Sequence, residues 1–450
     1  MSARTSRIAW LACSPAVIAI TALVLRLAGV FAALQWKPWI VANMSLTGGE
    51  VVQVARSIVL GNGFGNPVPG VSTGPTAWLC PVYAYIVAGV SKLTGVHTLT
   101  STVILVCLNC IFVALTVFPI YAIARRTFGV ATAVAAGWLW VVLPTAWNIP
   151  MRFVWDSTLN ALSLAAIFWA TLAVLGQRRL RMWILYGTLW ALGALINASI
   201  LSLAPFFFAW LLRKLRREPL LQWQLVATAA LAFVLGVAPW TVRNYLVFGK
   251  FIPIRSNFGL VLWMGNHEGG SGFDGTLSPF WNREQAALYQ QMGEVAYMKE
   301  KKHEAMAYIA SHPAATIKLG LHNAWTFWVN VTDPMANPWR GRQPASADLV
   351  PNAIVIAGAL LGAWLMLRWR NPAAFLYSAV LIFFPIVHYL TRPALRFRFT
   401  IEPLLAVLAG YGAVYVFQYL RGKAAEPQTI PYELAGGPSQ QETSAVVGAR

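Results

Sequence analysis

The sequence predicts an all-α integral membrane protein with about ten transmembrane helices. Three observations carry that prediction. Of 450 residues, 58% are hydrophobic and only 11% are charged, with a mean hydropathy of +0.59. The apolar residues come in runs of about 20, the length needed to cross ~30 Å of hydrocarbon. The 34 Lys and Arg outnumber the 15 Asp and Glu, and they sit largely in turns between those runs. There they report orientation in a membrane and give no case for nucleic acid as a partner. The 21 Trp suit interfacial belts and stacking on sugar rings.

In chain order the expected crossings are 8–34, 100–124, 128–147, 155–176, 182–196, 198–212, 222–240, 351–367, 372–390 and 401–420. The first is too long for a signal-peptide core and reads as a retained helix. The turns "ARR" (124–126), "QRRLR" (177–181), "RKLRR" (213–217), "RWR" (368–370) and "RGK" (421–423) are short and basic, so they belong in the cytoplasm. Residues 182–212 have basic clusters at both ends. A hairpin of two short helices turning at "INAS" (196–199) keeps both clusters inside and both termini cytoplasmic. Residues 1–420 then form one membrane domain. Residues 421–450, polar and small, read as a disordered cytoplasmic tail.

Three regions face outward. Loop 35–98 carries a short two-faced helix in "TGGEVVQVARSIVLGNGFGNP" (47–67), with Val51, Val52, Val54, Ala55, Ile58 and Val59 on one side. Glu50, Gln53, Arg56 and Ser57 lie on the other, and a second helix follows over 81–93. Loop 241–350 holds a polar helical part (282–313) and an interfacial stripe (318–329), and the connection 391–400 is tight. Eleven of the 15 acids fall on this outer side, so carboxylate chemistry belongs there.

Glu50 and Asp156 stand at the outer boundary of apolar segments, where an ionisable group is costly unless hydrated or paired. Each also has a plain structural reading, Glu50 as a favourable acid in a first helical turn and Asp156 as a helix cap. Arg152, Arg243, Arg255, Arg396 and Arg398 accompany them on the same side. They suit either lipid headgroups or a phosphate clamp, since guanidinium forks match phosphate oxygens. The polar residues within the spans include Asn109, Asn160 and Asn197. Cys107 and Cys110 lie one turn apart in an apolar run and read as packing. The six His make no metal pattern, and no phosphate-binding Gly loop appears. No cofactor is evident, and a divalent ion between acid and phosphate stays open.

Several blocks together resemble a known family: "ARSIVLGNGFGNP", "TGPTAWLCPVYAYIVAGVSKLTG" (73–95), "RFVWDSTLNAL", "APWTVRNYLVFGKFIPIRSNFGLVLWMGN" (238–266), "GEVAYMKEKKHEAMAYIASHP" (293–313) and "HYLTRPALRFRFTIEPLLAVLAGY" (388–411). They are similar to bacterial membrane glycosyltransferases of the GT-C superfamily. These are glycosyltransferase family 39 and its neighbours, which include protein O-mannosyltransferases and the lipid A aminoarabinose transferase. The resemblance covers roughly residues 10–420. It implies transfer of a hexose or pentose from a polyprenyl-phosphate donor to a hydroxyl of a protein, lipid or glycan acceptor. The site would lie on the periplasmic face of a bacterial inner membrane, among membrane lipids.

In that reading Glu50 takes the acceptor proton, and one displacement with one base gives inversion. Asp156 is the second acid, orienting acceptor or sugar. Arg396 and Arg398, with Arg243 and Arg255, hold the donor phosphate. Gln53 and Arg152 contact acceptor or sugar. The family often carries Asp, or Asp-Glu, where this chain has Gly48–Gly49 before Glu50. Two other readings remain: a transporter or flippase for a lipid-linked sugar, and a noncatalytic membrane partner that keeps the fold.

Overall fold

The computed structural model describes residues 13–36, 49–215, 219–268, 274–329 and 346–422. The helices follow as α1 (Pro15–Trp36), α2 (Gly49–Val59), α3 (Pro81–Thr94), α4 (Leu99–Leu115), α5 (Val117–Phe128), α6 (Val130–Val142) and α7 (Pro144–Arg152). Next come α8 (Ser157–Val174), α9 (Leu180–Ile196), α10 (Ala204–Lys214), α11 (Pro219–Phe248) and α12 (Phe258–Gly265). The last are α13 (Arg283–Met292), α14 (Glu294–Ser311), α15 (Pro313–Val329), α16 (Ser346–Arg368), α17 (Ala374–Leu390), α18 (Leu395–Arg398) and α19 (Glu402–Leu420). Among the described residues the only strand-like pairing is one antiparallel bridge, Gly65 to Pro75. The expected tail lies outside the described residues from 423 onward.

Among the described residues, six helical stretches are long and apolar enough to cross a membrane: Pro15–Gln35, Leu99–Phe128, Ser157–Val174, Trp223–Phe248, Val350–Arg368 and Glu402–Leu420. The pair α6 and α7, bent by 45°, makes a seventh if it is one span. Ten crossings were expected. The difference lies in α9 and α17, each of 17 residues, and in α10, of 11 residues. At 1.5 Å per residue an 11-residue helix reaches only about half of the hydrocarbon layer. The predicted break at "INAS" is present: Asn197 is extended (φ −154°, ψ 115°) and a 3-10 turn, Ala198–Leu203, leads into α10.

Most helices pack into one bundle core, in which large rings such as Trp140, Trp183 and Trp190 are buried. Small residues let backbones meet, as expected where lipid is as apolar as the side chains. A Cβ on Gly362 of α16 would fall 2.0 Å from the Leu408 carbonyl of α19. A second cluster packs α2, α3, α12, α13 and α14 together and rests on Leu105, Val154 and Trp240 of the bundle.

The bend between α6 and α7 has an identifiable cause. Pro144 and Pro150 have no N–H, so the carbonyls four residues earlier, Trp140 and Ala146, have no helical donor. Arg26 of α1 replaces both: Nη2 donates to Trp140 O at 3.0 Å and Nε to Ala146 O at 2.9 Å. Its Nη1 donates to Ala22 O at 2.9 Å, and the side chain is fully buried. A buried arginine in a spanning helix is thereby satisfied, and so are the carbonyls that the prolines orphan. The bent pair ends at Arg152 and delivers the turn that holds Asp156.

The two-faced helix forms as predicted, at α2. Its apolar face packs on protein: Val51, Val52, Val54 and Ala55 are buried within the second cluster. A face of four small aliphatic side chains fits the surface of α3 as well as it would fit acyl chains. Ser57, expected on the polar face, is also buried, and its Oγ accepts from Asn66 Nδ2 at 3.2 Å.

Candidate active site

Glu50 is the second residue of α2 and is half-buried. Gly49 before it has φ +47°, and a Cβ there would lie 3.2 Å from the Trp155 ring. Glycine answers both demands at once, and they are local reasons why an aspartate does not stand there. Gly48 lies outside the described residues. Gln53, one turn on, is half-buried, and Arg56 is exposed.

Asp156 occupies the cap position of α8, yet its carboxylate makes no capping bond. It accepts instead from Asn197 Nδ2 at 2.9 Å, so the capping reading is set aside. The turn is pinned from two sides. Asn109 of α4 donates to Phe153 O at 2.9 Å and accepts from Thr158 Oγ1 at 2.9 Å and Tyr83 OH at 3.1 Å. Asn160 donates to Thr400 Oγ1 at 2.9 Å, tying α8 to the residues that follow Arg396. The asparagines noted within the apolar segments are therefore fasteners around one acid.

Arg396 connects the two acids. It acts electrostatically on both Glu50 and Asp156. Its guanidinium lies over the Trp155 ring at 4.3 Å and near the Phe397 ring at 5.0 Å. Arg255 acts on Asp156, and Arg392 on Glu50. His388, buried in α17, lies in the field of both Arg255 and Arg396. Burial raises the pKa of Glu50, against its own backbone N–H, Arg396 and Arg392. Burial likewise raises that of Asp156, against Arg396, the Asn197 hydrogen bond and Arg255. Both residues keep some accessible surface, but their carboxyls are ringed by protein atoms, and desolvation outweighs three neighbouring cations. The nearby Cys80 thiol is pushed up to about 11 by burial, which removes it as a nucleophile.

Two of the four arginines expected on phosphate are engaged elsewhere. Arg398 is 2% exposed and ion-paired with Glu402 at 2.9 Å. It also donates to Trp328 O at 2.8 Å and Asn352 Oδ1 at 3.1 Å, while Thr145 donates to the far Glu402 oxygen. The i,i+4 spacing on the turn into α19 points Arg398 into the bundle, and Arg396, two residues earlier, points to the acids. Arg243 donates to Thr76 O at 2.7 Å and Phe64 O at 2.8 Å, and sits over Trp240 at 4.9 Å. It fastens the 64–76 loop to α11. Arg152 is half-buried at the end of α7, but the field at Asp156 comes from Arg396 and Arg255.

Arg255 is held by its neighbours. Trp240 Nε1 donates to Ile254 O at 2.8 Å, and Ser256 N donates to Ala77 O at 2.8 Å. Glu294, buried at the start of α14, accepts from Ser256 Oγ at 2.6 Å, Ala77 N at 2.8 Å, Tyr289 OH at 2.7 Å and Thr76 Oγ1. It joins three segments, 76–77, 256 and 289–294, at one carboxylate. Sequence reading singled out neither Glu294 nor Arg392. Arg392 had a signal, since it lies in the same basic connection as Arg396; Glu294 had none, since three of its four donors lie 38 to 218 positions away in sequence. Among the described residues no three His, Cys, Asp or Glu side chains converge as a metal site.

Solved structures show what this architecture is. The oligosaccharyltransferase of Archaeoglobus fulgidus, in complex with Zn and sulfate, matches over 95% of this chain at 17% identity, with a TM-score of 0.50. The same organism's AglB, in complex with an inhibitory peptide and a dolichol-phosphate, matches over 95% at 14% identity, again with a TM-score of 0.50. The chain shares the fold of these two oligosaccharyltransferase structures. The chain spans 55% and 57% of those two proteins, so they extend well beyond it. A structure of ArnT from Cupriavidus metallidurans bound to undecaprenyl phosphate matches over 94% of this chain and 87% of that one, at 15% identity and a TM-score of 0.39. The family model for dolichyl-phosphate-mannose-protein mannosyltransferase matches residues 75–242, which include Asp156. No curated protein matches the sequence.

Proposed function

We propose that the chain is a membrane glycosyltransferase. It moves a sugar from a polyprenyl-phosphate-linked donor to an acceptor hydroxyl at the periplasmic face of a bacterial inner membrane. The observation that carries this reading is the meeting of Glu50 and Asp156, 106 positions apart in sequence, in the field of one arginine, Arg396. The family match and a GT-C neighbour in complex with dolichol-phosphate support a lipid-phosphate donor in general terms.

Glu50 removes the acceptor proton as the acceptor oxygen attacks the anomeric carbon. The bond from that carbon to the phosphate oxygen breaks, and polyprenyl phosphate leaves with the electron pair. A carboxylate with a raised pKa is a better base near neutral pH than an ordinary one. Phosphate needs no proton to leave, so the second requirement is charge stabilisation. Arg396 supplies it, with Arg255 and Arg392 beside it. Asp156, held by Asn197, orients acceptor or sugar. One displacement inverts the anomeric centre.

The test is transfer of labelled sugar from undecaprenyl-phosphate donors by the purified protein. Glu50→Gln should lower kcat by about 10²–10⁴-fold, the range of a lost general base. Asp156→Asn should lower kcat/KM more than it disturbs folding. Near wild-type rates in both variants would sink the assignment.

A further inference from the structure

The field of Arg396 reaches both acids, but something must set the plane in which its N–H fork is presented. The rings around it form a pile. Arg396 lies over Trp155 at 4.3 Å and beside Phe397 at 5.0 Å. Phe397 stacks on His388 at 4.6 Å and 11°, and His388 faces Phe327 of α15 at 5.8 Å and 13°. Phe327 is 2% exposed, so the far end of the pile is anchored in the bundle core. At the near end Trp155 serves a second purpose. Its Cζ3 closes against Gly49, at 3.2 Å from where a Cβ would stand. It also directly precedes Asp156 in the chain.

One residue thus closes its indole ring over Gly49 beside Glu50, sets that ring against Arg396, and precedes Asp156 in the chain. A guanidinium seated over an indole face has fewer orientations open to its fork, and less order is lost when phosphate binds. We propose that Trp155 is a positioning residue for sugar transfer, holding the Arg396 fork and the Gly49–Glu50 backbone in register, so that the donor's phosphate stabiliser and the acceptor's base face one reaction centre. This rests on reading the site as that of a polyprenyl-phosphate glycosyltransferase. Trp155 itself performs no chemistry. Its work is to make the clamp and the base parts of one rigid constellation, at the tolerance of a fraction of an ångström that such sites require.

The experiment uses the full chain in lipid nanodiscs with undecaprenyl phosphate as the binding probe, alongside the transfer assay. Trp155→Leu should weaken undecaprenyl phosphate binding roughly tenfold, the scale of a desolvated cation–π contact. It should also lower kcat, because Glu50 loses its backstop. Trp155→Phe should recover most of both. In an Arg396→Ala background, Trp155→Leu should change the Kd less than twofold, since the group it positions is gone. Should the leucine variant misfold, tetrafluorotryptophan placed at 155 keeps the shape and drains the ring's negative face. It should weaken probe binding in the Arg396 protein and leave it unchanged in the Arg396→Ala protein. Independent, multiplying effects of the two positions on Kd, or an unchanged Kd with tetrafluorotryptophan, would overturn the inference while leaving the glycosyltransferase reading in place. A wild-type protein that neither binds undecaprenyl phosphate nor consumes its sugar conjugates would overturn that reading and this inference together.

Discussion

Arg26 offers the sharpest test of how the fold delivers its site. Substituting Met keeps the volume and removes every donor. Two buried carbonyls, Trp140 O and Ala146 O, then face Pro144 and Pro150 and have no helical donor. Leaving a buried acceptor unsatisfied costs ~1–3 kcal/mol, so two cost about 2–6 kcal/mol. Removing a buried cation returns part of that, because its own desolvation cost disappears. A net loss of about 3 kcal/mol is expected for Arg26→Met.

The assignment of that loss to the prolines is itself testable. Pro150→Ala restores an N–H in reach of Ala146 O. In the wild-type background Arg26 already serves that carbonyl, so Pro150→Ala should be close to neutral. In the Arg26→Met background it should recover about 1–3 kcal/mol. Unfolding in mixed micelles titrated with SDS measures all four corners of this cycle. Since α7 leads into the Asp156 turn, transfer activity should fall in Arg26→Met and return partly in the double variant. Equal effects of Pro150→Ala in both backgrounds, or no loss in Arg26→Met, would refute the idea that the arginine substitutes for missing amide donors.

Three further outcomes are expected. Arg398→Met should destabilise the protein by about 3–5 kcal/mol by stranding buried Glu402, with donor KM unchanged, and Arg398→Met with Glu402→Leu should recover most of it; a raised KM with normal stability would return Arg398 to the phosphate. Because burial holds the pKa of Glu50 above its unfolded value, the protonated form favours the fold, and that contribution is lost as pH rises through the folded pKa. Glu50→Gln should therefore raise the thermal unfolding temperature at about pH 8 and leave it nearly unchanged at about pH 4, and the wild-type rate should fall on the acid side at higher pH than an ordinary carboxylate allows. Gly49→Ala forces a side chain into positive φ and against Trp155, costing about 1–2 kcal/mol and lowering kcat by moving Glu50; wild-type kcat would show that this contact does not matter.

The sequence alone already marks the helical membrane architecture, the helix that carries Glu50, and the turn at "INAS". These are legible because each depends on neighbours a few residues away: an apolar run, a two-sided periodicity, a charge beside a span. The roles of the arginines were not legible at that level. Arg396 and Arg398 stand two residues apart in the same basic stretch, and only the packing sends one to the acids and the other to Glu402. Arg243 reads as an interfacial cation until its donors are seen on Thr76 O and Phe64 O. Arg26 drew no reading from the sequence, because the two prolines whose missing donors it replaces lie 118 and 124 positions away.

Composition and periodicity therefore decided what kind of molecule this is and on which short segments its chemistry-bearing residues lie. Tertiary structure alone decided which of them act together. A carboxylate's basicity and an arginine's partner depend on desolvation and on contacts made across the whole chain, and those quantities come into being only when distant segments close around the same few atoms.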